Sequence, residues 1–140
     1  MSINNIGQIL QSILICNTKE IVNLEPNWRN AVGVYVSVPN TSKVPYVKIN
    51  GLTKRGQPLI DDSSFSGSFN ISIFDNDKNN QQSMDLLYTL YVDLPTILIG
   101  KVKNGISIVN AIPSESSVIE NLQTDSWVGN FEMMLICNKQ

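Results

Sequence analysis

The residues best equipped for chemistry in this 140-residue chain are two carboxylate pairs, Asp61-Asp62 and Asp75-x-Asp77. Paired carboxylates can divide acid and base roles or hold a divalent cation when further groups converge on them. Asp75-x-Asp77-x-Asn79 also matches the opening of a calcium-binding loop. The match fails further along: the sixth position is Asn80 rather than Gly, and the twelfth is Leu86 rather than the Glu that closes such a site. Both pairs fall in expected loops with no convergent partner. They read as turn carboxylates, with Asn79 or Asn80 capping the helix that follows.

The chain contains no histidine. That removes a Ser-His-Asp or Cys-His arrangement, a histidine base and a mixed cysteine and histidine zinc site. Two cysteines, Cys16 and Cys137, cannot make a four-cysteine site. In a reducing compartment they are expected to be buried free thiols rather than a disulfide. Neither G-x-G-x-x-G nor G-x-x-x-x-G-K-[ST] occurs, so no phosphate-cradling loop is expected. The expectation is a protein with no catalytic residues, no cofactor and no metal. A hydrolase built on acidic residues is the reading that would require one of Asp61, Asp62, Asp75 or Asp77 to be buried with a perturbed pKa.

Hydrophobic residues make up 42% of the chain and charged residues 16%, with a formal net charge of −2. A chain of this length and composition can bury a core of its own, and residues 1–140 are expected to form a single domain. A surface poor in charge suits a subunit that packs against others. The acidic balance argues against a nucleic-acid binder, which would present clustered Lys and Arg to phosphates. Lys43, Lys48, Lys54 and Arg55 are the only local concentration of positive charge, and they are dispersed enough to read as a solvated loop. The opening Met-Ser-Ile-Asn-Asn lacks a positive n-region, and no apolar run approaches the roughly eighteen residues of a membrane span. A cytosolic protein with no membrane partner is expected.

Around these residues, hydrophobic periodicity predicts a helix over Ile3 to Cys16 and an alternating strand over Ala31 to Val38. Pro39, Pro45, Pro58, Gly51, Gly56, Gly67 and a Ser-rich run predict a long loop or arm over residues 39–68, broken by a short strand at Tyr46 to Ile49. A strand over Ser68 to Phe74 leads to a helix from Gln81 to Asp93, with Met84, Leu87, Tyr88 and Tyr91 as its apolar face and Pro95 as its stop. Strands over Ile97 to Val102 and Ile106 to Ile112 flank an Asn104-Gly105 turn, and a final strand runs from Gly129 to Cys137. Both faces of that last strand are apolar, so it is expected to be central or covered. The fold class is α+β: one mostly antiparallel sheet flanked by two helices, with a long irregular loop.

Trp28 and Trp127 each precede an alternating strand and read as plugs at the ends of the core. Trp28-Arg29 is also the better candidate for an interface anchor, since Trp, Tyr and Arg dominate binding hot spots. The remaining contact candidates are Lys43, Lys48, Lys54, Arg55 and Phe65, all within the 39–68 segment.

The stretch Phe69-Asn70-Ile71-Ser72-Ile73-Phe74-Asp75, the helix after it, and Asp125-Ser126-Trp127 followed by Phe131-Glu132-Met133-Met134-Leu135 resemble the phage neck and tail-terminator (head–tail joining) proteins. The resemblance covers about the C-terminal half and carries no motif that transfers a binding residue. It implies a virion protein, made in the host cytoplasm, forming a commonly six-fold ring between portal or connector and tail. DNA would pass through the ring without specific binding. The competing reading is a monomeric protein-binding module, such as a small inhibitor or host-takeover protein.

Overall fold

The computed structural model describes residues 3–25, 28, 32–39, 43–52, 64–121 and 123–139. The first helix, α1, runs Ile3–Leu24, well past the expected end at Cys16. Leu10, Ile13, Leu14, Asn17, Thr18, Ile21 and Val22 form one buried stripe along it, at the i, i+3, i+4, i+7 spacing of a helix. Asn17 and Thr18 disguise that stripe, because two polar residues sit where apolar ones would announce it. Asn17 Nδ2 compensates by donating to the Ile13 carbonyl at 2.7 Å, whereas Thr18 Oγ1 is buried with no hydrogen-bond partner.

Six strands form one sheet: β1 (Gly33–Tyr35), β2 (Tyr46–Leu52), β3 (Ser64–Asn76), β4 (Val102–Lys103), β5 (Ile106–Asn121) and β6 (Ser126–Lys139). Their order across the sheet is β1-β2-β3-β6-β5-β4. β1 and β2 run parallel, and every other neighbouring pair is antiparallel. The fold is therefore α+β with a mostly antiparallel sheet, as composition and periodicity led one to expect. β6 is central, paired with β3 from Ser126↔Asn76 to Asn138↔Ser64 and with β5 on its other side.

The expected Ala31 to Val38 strand shrinks to three residues. Alternation specifies which side chains face inward, but a ladder needs a partner, and β2 offers β1 only Tyr46 to Lys48. Val34 is buried, while Val36 is exposed. Ala31 lies outside the described residues.

Within the expected 39–68 arm, residues 46–52 and 64–68 are strand. β2 reaches Leu52 and β3 begins at Ser64, and residues 40–42 and 53–63 lie outside the described set. The Ser66-Gly67-Ser68 run reads as loop because small polar residues are common in turns. Here those residues occupy a strand beside α1: a Cβ at Gly67 would stand 3.4 Å from Leu10 Cδ1, an ordinary contact distance.

A 3₁₀ turn at Asp77–Asn79 leads into α2, Asn80–Leu98. Asn79 occupies the N-cap position without a side-chain capping bond. Pro95 lies inside the helix rather than stopping it. Leu94 and Leu98 on either side are fully buried, and their packing outweighs the bias against helix before proline. The buried face is also rotated from the expected one: Ser83, Leu86, Leu87, Leu90, Leu94 and Leu98 point inward, whereas Met84 and Tyr88 are exposed.

The Asn104-Gly105 turn is present, both residues adopting positive φ (52° and 78°), the conformation that a two-residue hairpin turn requires. Ile97 and Leu98, expected in the strand before it, belong to α2, and β4 is only two residues long. Beyond the turn, β5 continues to Asn121 through two shifts of register.

Both helices pack on one face of the sheet, α1 over β1 and β2, α2 over β3, β6 and β5. Phe65, Phe69, Ile71 and Ile73 of β3 and Trp127, Phe131, Met133, Leu135 and Cys137 of β6 meet them in one hydrophobic cluster. The opposite face carries Lys48, Asn50, Asn70, Ser72, Asn130 and Glu132, paired in register across the central strands.

Candidate functional site

Among the described residues, Asp75 is the buried carboxylate, at the end of β3 where its neighbour on β6 is Trp127. Its two oxygens are already engaged. Asn76 N donates to Oδ1 at 2.8 Å, and the Ser83 hydroxyl donates to Oδ2. The Ser83 bond pins the first turn of α2 to the end of the strand, a structural use of the carboxylate. Asp61 and Asp62 lie outside the described residues, as does the Asp77 side chain. Among the described residues no three Cys, Asp or Glu side chains come together as a metal site.

Both cysteines are free; Cys137 is buried, as expected, but Cys16 is exposed on the outer side of α1. Burial pushes the Cys137 thiol up to about 12, so it stays protonated and packs as a small hydrophobe. Among the described residues, no helix is long and apolar enough to cross a membrane.

Four of the expected contact residues lie among the described residues, two of them buried and two at or near the surface. Trp28 and Phe65 are buried within the hydrophobic cluster, Phe65 opposite Cys137. Lys43 is exposed on the segment leading into β2, and Lys48 is half-buried on the open sheet face opposite Ser72. Arg29, Lys54 and Arg55 lie outside the described residues.

Two other surfaces stand out. The first is a cleft of about 520 Å³ between the end of α1 and the outer side of α2. Ile21, Leu24, Trp28, Leu86, Val92 and Ile97 supply apolar walls, and Glu25, Asp85 and Asp93 supply three carboxylates. No Lys or Arg is among its described lining residues. Asp85, Thr89, Val92, Asp93 and Thr96 recur at helical spacing, so this stripe was visible in the sequence once α2 had been assigned its true inner face.

The second surface is the β4–β5 hairpin beyond the C-terminus of α2. Ile99, Val102 and Val109 are each about half exposed there, beside exposed Lys101 and Lys103. Lys103 Nζ donates to Ser12 Oγ of α1 at 2.8 Å, which fixes the hairpin against the helix layer.

The outer edge of β5 past the short β4 pairing has no strand partner among the described residues. Pro113, the two register shifts, Glu115 and Glu120 interrupt that edge. Such features discourage edge-to-edge pairing with another chain.

No family model and no curated protein matches this chain. Among solved structures, one chain aligned over its full length shares 12% identity at a TM-score of 0.49 and covers 96% of that structure, too distant to carry an argument. A chain of the virion of a native gene transfer agent (GTA) particle superposes with a TM-score of 0.59, over 86% of this chain and 91% of that one, at 10% identity. This protein therefore shares its fold with a component of that particle.

Proposed function

We propose that the protein is a structural virion component that assembles with copies of itself into a ring at the neck or tail top of a phage, in the role of a tail terminator or head–tail joining protein. The observation that carries this reading is the shared fold with a chain of the gene transfer agent virion, which spans most of both chains. The sequence resemblance to neck and tail-terminator proteins points the same way. A surface with little charge suits a subunit held among neighbours, and a net charge of −2 would leave DNA free to pass through a lumen. The partners in this reading are further copies, commonly six in a ring, together with portal or connector and tail proteins.

Light scattering coupled to size exclusion across a concentration series, followed by negative-stain imaging, tests the reading. Closed rings with a central hole are expected. A monomer at every concentration, unchanged by added connector or tail proteins, would instead favour a monomeric binding module that uses the acidic, apolar cleft on a soluble target.

A further inference from the structure

The cleft and the hairpin are complementary to each other. The cleft combines an apolar floor with Glu25, Asp85 and Asp93, and its rim exposes Leu24 to 74%. The hairpin presents Lys101 and Lys103 around Val102, which is 54% exposed, and no Asp or Glu occurs from Ile99 to Ser114. One surface is acidic and apolar, the other basic and apolar. Desolvated apolar contact ringed by opposite charges is the pattern that gives an interface both affinity and orientation.

The hairpin is also rigid. Gly100 N donates to the Ile108 carbonyl at 2.8 Å, Ile108 N to the Lys101 carbonyl at 2.9 Å, and Lys101 N to the Leu98 carbonyl at 3.1 Å. A preordered element loses little conformational freedom on docking.

Within a single chain the hairpin is held away from the α1 end of the cleft. The Lys103 to Ser12 bond places the hairpin beside the middle of α1, whereas Ile21 and Glu25 of the cleft lie at the last turn of that helix; the α2 side of the cleft runs on to Thr96 and Ile97. At 1.5 Å per residue, the α1 positions are about 14–20 Å apart along the helix. Among the described residues, each surface is therefore left for another molecule.

We infer that the β4–β5 hairpin of one copy docks in the α1–α2 cleft of the next. This inference rests on the self-assembly proposed above and names the two surfaces that perform it. Because the surfaces differ, the contact is head-to-tail. Such a contact propagates around a closed ring when its rotation closes, whereas a self-complementary contact stops at a dimer.

Charge reversal at exposed positions tests the pairing without touching the core, and Ser12→Ala, which removes the Lys103 to Ser12 bond and leaves every charge in place, is the control for the loss of that bond in Lys103→Glu. Three variants are compared with the wild type by light scattering and negative stain: Lys101→Glu with Lys103→Glu, Glu25→Lys with Asp93→Lys, and all four changes in one chain. Circular dichroism melts confirm that each remains folded. Both double variants are expected to weaken self-association by at least about tenfold, and the fourfold variant to regain it, since its reversed hairpin meets a reversed cleft. If the wild type forms rings and both double variants do so equally well, the hairpin–cleft pairing is wrong while the ring reading stands. Loss in both double variants without recovery in the fourfold chain also overturns the pairing. A wild-type chain that stays monomeric at all concentrations, with or without connector and tail proteins, overturns the pairing and the ring reading together.

Discussion

The indole of Trp127 lies over Gly129 on the same face of β6, so close that a Cβ at the glycine would stand 2.5 Å from the ring's Cη2 atom and 2.9 Å from Leu87 Cδ2. Gly129 is thus the space that allows a fully buried tryptophan to lie flat between the central strand and α2. Gly129→Ala is expected to cost about 1–3 kcal/mol by overpacking, read from urea denaturation. A change of a few tenths would mean that the indole can tilt away freely.

The rotated face of α2 makes a paired prediction. Leu90 is fully buried and Leu90→Ala should destabilise by about 2–5 kcal/mol. Tyr88, 69% exposed, should tolerate alanine within about 0.5 kcal/mol. The opposite ranking in thermal or urea melts would return Met84 and Tyr88 to the inner face beside Leu87 and Tyr91, which already pack inward.

Ser83 donates to the buried carboxylate of Asp75 from the first turns of α2. Ser83→Ala leaves one carboxylate oxygen without its hydroxyl partner inside the protein, at an expected cost of about 1–3 kcal/mol. Chemical denaturation measures it, and an unchanged midpoint would show that water or a shifted side chain replaces the bond.

The two thiols should separate cleanly by reactivity. A thiol-specific chromogenic reagent is expected to titrate Cys16 in the native protein and Cys137 only after unfolding. Equal, rapid reaction of both would contradict the burial of β6.

Cys137 also carries a pH signature. Its folded pKa of about 12 exceeds the ordinary value of 9.0, so the folded state holds a proton that the unfolded chain releases. Its contribution to stability is full below pH 9 and is lost as pH rises from 9 towards 12, at no more than about 1.4 kcal/mol per pH unit. Measured across that window, Cys137→Ala should lose less stability per pH unit than the wild type. Parallel slopes would show that the thiol is not desolvated.

The alternation of Phe131, Met133, Leu135 and Cys137, with a second apolar face behind it, marked β6 as a strand either central or covered, and the sheet order makes it central. Asn104-Gly105 likewise specified its own turn, because the positive φ values are a local property of those two residues. The absence of histidine removed histidine-dependent chemistry from composition alone.

Other features depended on what lay across from a segment. Asn17 and Thr18 are helical because Ile21 and Val22 find a core to enter, and Pro95 is inside α2 because Leu94 and Leu98 are held there. The valines around Val34 alternate as well as any strand in the protein, yet only three residues pair, since hydrogen-bond partners are supplied by a neighbouring chain segment and not by a residue's own type. The same holds for the cleft and the hairpin. Lys101 and Lys103 are neighbours in sequence, and Asp85 and Asp93 share one helix, but Glu25 is far from both pairs. Its joining to the α2 carboxylates in one cleft is a consequence of helices α1 and α2 sharing one face of the sheet, which long-range packing decides and local sequence does not.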